Sequence, residues 1–126
     1  MKEIKYDLES ELKVKVNEDA LNLKIKRLKD LSIKISPKFN LKNLDNNGVN
    51  IVALIFGNSG KAYFFSPGSY KLNTGDIVKV HDSSNIERLA GVVIGNSKIN
   101  ENSIKKELRP VLEVVYKNPK NNLKKA

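Results

Sequence analysis

Three consecutive aromatic residues, Tyr63-Phe64-Phe65, lie between lysines at positions 61 and 79 and form the most ligand-like run in the chain. On a strand, Tyr63 and Phe65 share one face and Phe64 takes the other. Exposed rings at Tyr63 and Phe65, flanked by Lys61 and Lys79, would make a platform for single-stranded bases, each stack worth roughly 1–3 kcal/mol. The same rings would equally fill the interior of a small barrel. Tyr63 is the better candidate for exposure, because its hydroxyl favours a wet end. Tyr70, after the Pro67-Gly68-Ser69 turn, is a second loop aromatic expected near the surface.

A second set of residues is cationic. Lys98, Lys105, Lys106 and Arg109, with Lys117, Lys120, Lys124 and Lys125 behind them, have the density to track a phosphate backbone. A solvated lysine face would look the same. Arg109 stands apart, since it opens a predicted strand. Catalytic groupings are weaker. His81-Asp82 has the order of a general base and its orienter, but no Ser, Cys or Thr nucleophile signature accompanies it, so a surface turn is expected. Gly57-Asn58-Ser59-Gly60-Lys61 lacks the spacing of a phosphate loop and joins two predicted strands. Asp76, after Gly75, reads as turn chemistry, and Glu87 has no metal-ligand spacing around it. No catalytic residue, metal site or cofactor is expected, and the chain is read as a non-enzyme.

Composition narrows the field further. The 126 residues hold 23 Lys plus Arg against 14 Asp plus Glu, a formal charge of +9, with one His, no Cys and no Trp. The absence of cysteine excludes disulfide scaffolds, thiolate zinc sites and cysteine nucleophiles. Of the basic residues 20 are Lys and 3 are Arg (Arg27, Arg88, Arg109), and 16 residues are Asn. Such Lys and Asn enrichment also follows from an AT-rich genome. Few arginines argue against bidentate reading of guanines. Any nucleic acid bound would therefore be held through backbone and stacking contacts. The longest unbroken apolar run, Ile51–Phe56, is far short of a membrane span. The charged, alternating start has no signal-peptide pattern, so a cytoplasmic, membrane-free protein is expected.

The elements that must position these residues divide at Asn43–Gly48, where Asn46-Asn47-Gly48 marks a turn. Residues 1–48 alternate through Ile4, Tyr6, Leu8, then Leu12, Val14, Val16, then Leu21, Leu23, Ile25 and Leu31, Ile33, Ile35, a period of two that predicts strands. Leu21, Ile25 and Leu28 also share a helical face after Asp19, a competing reading. Residues 49–126 predict five short strands: Asn50–Phe56, Lys61–Ser66, Ile77–His81, Arg88–Gly95 and Leu108–Tyr116. Gly91 predicts a bulge or sharp bend, and Pro110 starts the last strand or places it at an edge. The expectation is a mainly β fold: a small SH3-like or OB-like barrel over about residues 50–116, a strand-rich N-terminal extension and a basic tail.

The ordered blocks Ile51–Phe56, Gly60-Lys61-Ala62-Tyr63-Phe64-Phe65-Ser66-Pro67, Gly75-Asp76-Ile77-Val78-Lys79-Val80, Gly91-Val92-Val93-Ile94 and Leu108-Arg109-Pro110-Val111 resemble the polymerase-suppressor domain family, whose bacterial members are RicT/YaaT-type proteins. Tyr63–Pro67, the Gly75–Val80 strand, Gly91–Ile94 and Leu108–Val114 are also similar to the N-terminal 3′-DNA-end-binding domain of the primosomal helicase PriA. The first resemblance implies a part in an RNA-processing or regulatory assembly, without the iron–sulfur cluster that cysteines would ligate. The second implies a DNA-binding barrel. This chain departs from that family where an Asp beside an aromatic pair meets the DNA 3′ end, since Tyr63 and Phe64 occupy the matching positions here. With the fold reading, the aromatic run and the basic second part, the two resemblances point to a non-catalytic module for single-stranded or structured RNA or DNA, with Lys61, Tyr63, Phe65, Lys79, Lys98, Lys105, Lys106 and Arg109 as its binding residues. The alternative is an adaptor whose residues 1–48 meet a protein partner or a second copy.

Overall fold

A computed structural model describes the backbone of residues 2–57 and 60–119, with side chains from Glu18 onward. The chain is mainly β, with one long helix. Helix α1 spans Lys2–Ile35, and the strands are β1 Leu44–Ile55, β2 Tyr63–Phe65, β3 Ile77–His81, β4 Glu87–Ile99 and β5 Glu113–Tyr116. They form one sheet in the order β2-β1-β4-β3-β5, every pair antiparallel. The five predicted strands are all present. The sheet is open rather than a closed barrel. Just beyond β2, Ser66 forms an isolated parallel bridge with Pro110, ahead of β5. Ser66 donates its amide to the Arg109 carbonyl at 2.8 Å and accepts from the Val111 amide at 2.9 Å. Pro110 is tolerated there because these two bonds use its neighbours' groups, not the amide it lacks.

The strand-rich reading of residues 1–48 is overturned, because residues 2–35 are helical. Neither Gly nor Pro occurs before Pro37, and most polar positions are Lys or Glu, good helix formers. Decisive is the sheet's need for cover. Ala53, Ile55, Ile77, Leu89 and Val93 are buried on its outer face, where Leu28 packs with Ile25, Leu31 and Ile35, spaced at helical rather than strand period. Burying a residue such as Leu28 stabilises by about 1.5–3 kcal/mol. The alternation of Ile4 through Val16 falls on side chains outside the described residues. The helix ends as Ser36-Pro37 tightens into a 3-10 turn, Ser36 Oγ donating to the Val93 carbonyl at 2.7 Å.

Gly91 marks a close approach. A Cβ there would overlap the Ser32 hydroxyl, which is itself buried and donates to the Leu28 carbonyl at 2.6 Å. The helix thus rests on central strand β4 at the residue that pairs with both Ile55 and Ile77. The register breaks lie on either side of Ala53, where β4 carries the extra residues and bends. The turn expected at Asn46-Asn47-Gly48 is a bulge inside β1, since Leu44 and Val49 both face Ile99. Gly48 is required there, because a Cβ would run into the Ile99 carbonyl.

The inner face of the bent sheet encloses the second core: Val52, Leu54, Phe65, Leu72, Val78, Val80, Ala90, Val92 and Val111. Asp76 closes the far side. Its carboxylate is fully buried and accepts from the Asn73 amide, the Asn118 amide and Lys117 Nζ at 2.8, 2.8 and 2.6 Å. The turn reading of Asp76 covers only the Asn73 bond; the others fasten the chain beyond β5 to the start of β3. No buried side-chain polar atom among the described residues lacks a hydrogen-bond partner.

Candidate nucleic-acid interface

The edge of β2 and the irregular segment 103–109 face each other across a groove of about 570 Å³. Two half-buried apolar residues, Ile104 and Leu108, anchor that segment, leaving Lys105, Lys106, Glu107 and Arg109 exposed. A 3-10 turn over Glu101–Ser103 starts it, with the Asn100 side chain accepting from the Asn102 amide at 2.8 Å. The Ser66–Pro110 bridge then pins its end against β2.

Of the eight residues expected to bind, Tyr63, Phe65, Lys105, Lys106 and Arg109 line this groove together. Lys61, Lys79 and Lys98 do not. Lys79 is bonded to Glu113 on β5 at 2.8 Å, across the register that sets the two opposite each other. This hydrogen bond and charge, with the charge of Glu87, raise the Lys79 pKa above 10.5. Lys98 sits on β4 opposite Asn50. The tail lysines 120, 124 and 125 lie outside the described residues, whereas Lys117 serves the Asp76 carboxylate.

The aromatic assignment needs one correction. Phe65 is only 5% exposed and belongs to the inner core, because its register partner Val52 faces inward. It forms the floor of the groove and has no free face for a base. Tyr63, 47% exposed and opposite Leu54, shares the face of Phe65 and presents its ring at the groove. Phe64, 39% exposed and opposite Ala53, turns its ring to the outer face of the sheet. Strand parity shows which residues share a face, but the register with β1 decides which face is covered. Tyr70 is half-buried, its hydroxyl donating to the Leu112 carbonyl at 3.2 Å.

Two groove residues carried no sequence expectation. Phe56, just past β1, stands 5.8 Å from the Tyr63 ring and 6.0 Å from the Phe65 ring, tilted and edge-on. Arg88, near the start of β4, lays its guanidinium over Phe56 at 4.7 Å from the centroid. As one of three arginines, at a strand start like Arg109, it had the residue type to attract notice. Asp82 Oδ2 stands 4.0 Å from Nη1, and Asp82 is itself a turn residue whose Oδ1 accepts from the amides of Ser84 and Ile86. His81-Asp82 is accordingly the start of the β3–β4 turn, as expected.

Four cations (Arg88, Lys105, Lys106, Arg109) and two carboxylates (Asp82, Glu107) line the groove, an excess of positive charge beside the exposed Tyr63 ring. Among the described residues, Lys105, Lys106 and Arg109 have no carboxylate within 4.0 Å. No group of three or more His, Asp or Glu among the described residues is placed to hold a metal, and no helix there is long and apolar enough to cross a membrane. The chain matches no protein-family model, and no curated protein or solved structure is significantly similar to it.

Proposed function

We propose that this chain is a non-catalytic nucleic-acid-binding module that holds single-stranded RNA or DNA in the groove between β2 and segment 103–109. The observation that carries this reading is the convergence of the exposed Tyr63 ring with Lys105, Lys106 and Arg109 in one groove. Lysines and arginines neutralise phosphates and release counterions, while rings stack on bases without reading sequence. The resemblance to the polymerase-suppressor and PriA end-binding domains supports the same reading, since its aromatic block falls on β2.

Fluorescence anisotropy with a labelled oligonucleotide, as RNA and as DNA across a salt series, is the test. Each phosphate contact adds about −0.7 to the slope of log affinity against log salt for a single strand. Reversing Lys105, Lys106 and Arg109 to Glu together should abolish binding at moderate salt and flatten that slope by about 2. Equal binding by the variant would refute the proposal. A second reading, a protein-interaction module, is favoured by Leu21 and Leu23, which are 45% and 48% exposed on α1 ahead of the residues that pack on the sheet. Under it, the wild-type chain shows no oligonucleotide affinity even at low salt.

A further inference from the structure

The geometry points to Arg88 as a base-stacking residue: its guanidinium, held over the Phe56 ring and still exposed in the groove, offers its open surface to an unpaired nucleobase. This rests on the nucleic-acid reading of the groove and specifies what part of the ligand enters it. A cation meant only for phosphate needs no ring beneath it, as Lys105 and Lys106 on the facing segment illustrate. Arg88 differs from them on two counts and shares their exposure. Its guanidinium carbon lies over the Phe56 ring, 4.7 Å from the centroid, so the group packs against an aromatic surface. Its edge stands 4.0 Å from the Asp82 carboxylate, which two backbone amides fix in place. Its side chain nevertheless remains 43% exposed in the groove, next to lining residue Tyr63.

Phe56 is in turn braced by Tyr63 and Phe65, so the stack is built from the groove floor upward. A guanidinium restrained by a ring and a carboxylate loses little rotamer freedom when a ligand arrives. Flat arginine planes stack on bases splayed out of a single strand. Bases within a duplex have both faces covered by neighbours, so an unpaired base is the chemical class this plane selects. Asp82 also keeps the arginine's edge partly neutralised, which favours use of its face.

The experiment compares two labelled probes with the full chain: an oligothymidylate of about 12 nucleotides, and an abasic sugar–phosphate strand of the same length. Arg88→Lys keeps the charge and removes the plane. It should weaken oligothymidylate binding about tenfold, leave abasic-strand binding within about twofold and keep the salt slope unchanged. Arg88→Gln, which also loses the charge, should weaken both probes. The stacking role is overturned if Arg88→Lys lowers both probes equally or lowers neither, while charge reversal of Lys105, Lys106 and Arg109 still abolishes binding. In that event the nucleic-acid reading stands alone. Failure of the wild-type chain to bind either probe at low salt overturns both.

Discussion

Charge is concentrated at two places in this molecule, and it is handled in opposite ways. At the Asp76 clamp, a fully buried carboxylate is matched by two backbone amides and by Lys117. At the groove, Lys105, Lys106 and Arg109 stay exposed with no carboxylate in reach among the described residues. A buried charge costs several kcal/mol unless every lone pair finds a donor, so the clamp is stable only when complete. The groove cations remain hydrated and cost the fold little. Charge that secures the structure is enclosed and matched; the charge of the groove stays exposed at the rim.

The comparison is sharpest between neighbours in sequence. Phe65→Ala opens the inner core and should lower stability by about 3–5 kcal/mol in urea unfolding. Tyr63→Ala, two residues away on the same strand, should cost about 1 kcal/mol yet weaken oligonucleotide binding by about 1–3 kcal/mol, the worth of one stack. Similar unfolding losses for the two would erase the distinction between floor and rim. Asp76→Ala leaves the Asn73 and Asn118 amides without their carboxylate acceptor, a loss of about 3 kcal/mol by the same assay. Oligonucleotide affinity of the folded variant should not change, because the clamp is separate from the groove.

The smallest effect concerns Lys79, whose pKa is raised above 10.5 by its bond to Glu113 and the charges of Glu113 and Glu87. A lysine whose folded pKa exceeds its unfolded one contributes stability that is complete below the unfolded value and disappears as pH rises through the folded value. Wild type and Glu113→Gln should therefore melt with a small constant gap at neutral pH, and that gap should close above pH 10.5. A gap that widens in alkali would contradict the pairing.

The strands were legible because each apolar run is short, alternating or β-branched, and bounded by Gly, Pro or Asn. Helix α1 was not, because Leu21-Leu23-Ile25 satisfies a strand period while Leu21, Ile25 and Leu28 satisfy a helical one. What separates the two is the sheet's uncovered outer face, a tertiary demand absent from any local window. At the site, Tyr63, Lys105, Lys106 and Arg109 were legible from residue type alone. The burial of Phe65 was not, since its pairing with Val52 sets that ring into the inner core. The Arg88–Phe56 stack joins the ends of two strands that are distant in sequence, so neither position signals it.

Strand order also governs when the groove comes into being. Across the β3–β4 pair, His81 meets Glu87 with a turn between them, whereas Ile55 reaches Gly91 only by closing the whole intervening chain. Closing the longer loop costs roughly 2 kcal/mol more in chain entropy, and such non-local pairings slow folding. The groove draws Phe56 and Tyr63 from the β1–β2 side, Arg88 from β4, and its lysines from the segment beyond β4. Its two walls meet only after the long-range pairing is made. A partly folded chain therefore has its lysines but not its groove, which exists only once the topology is complete.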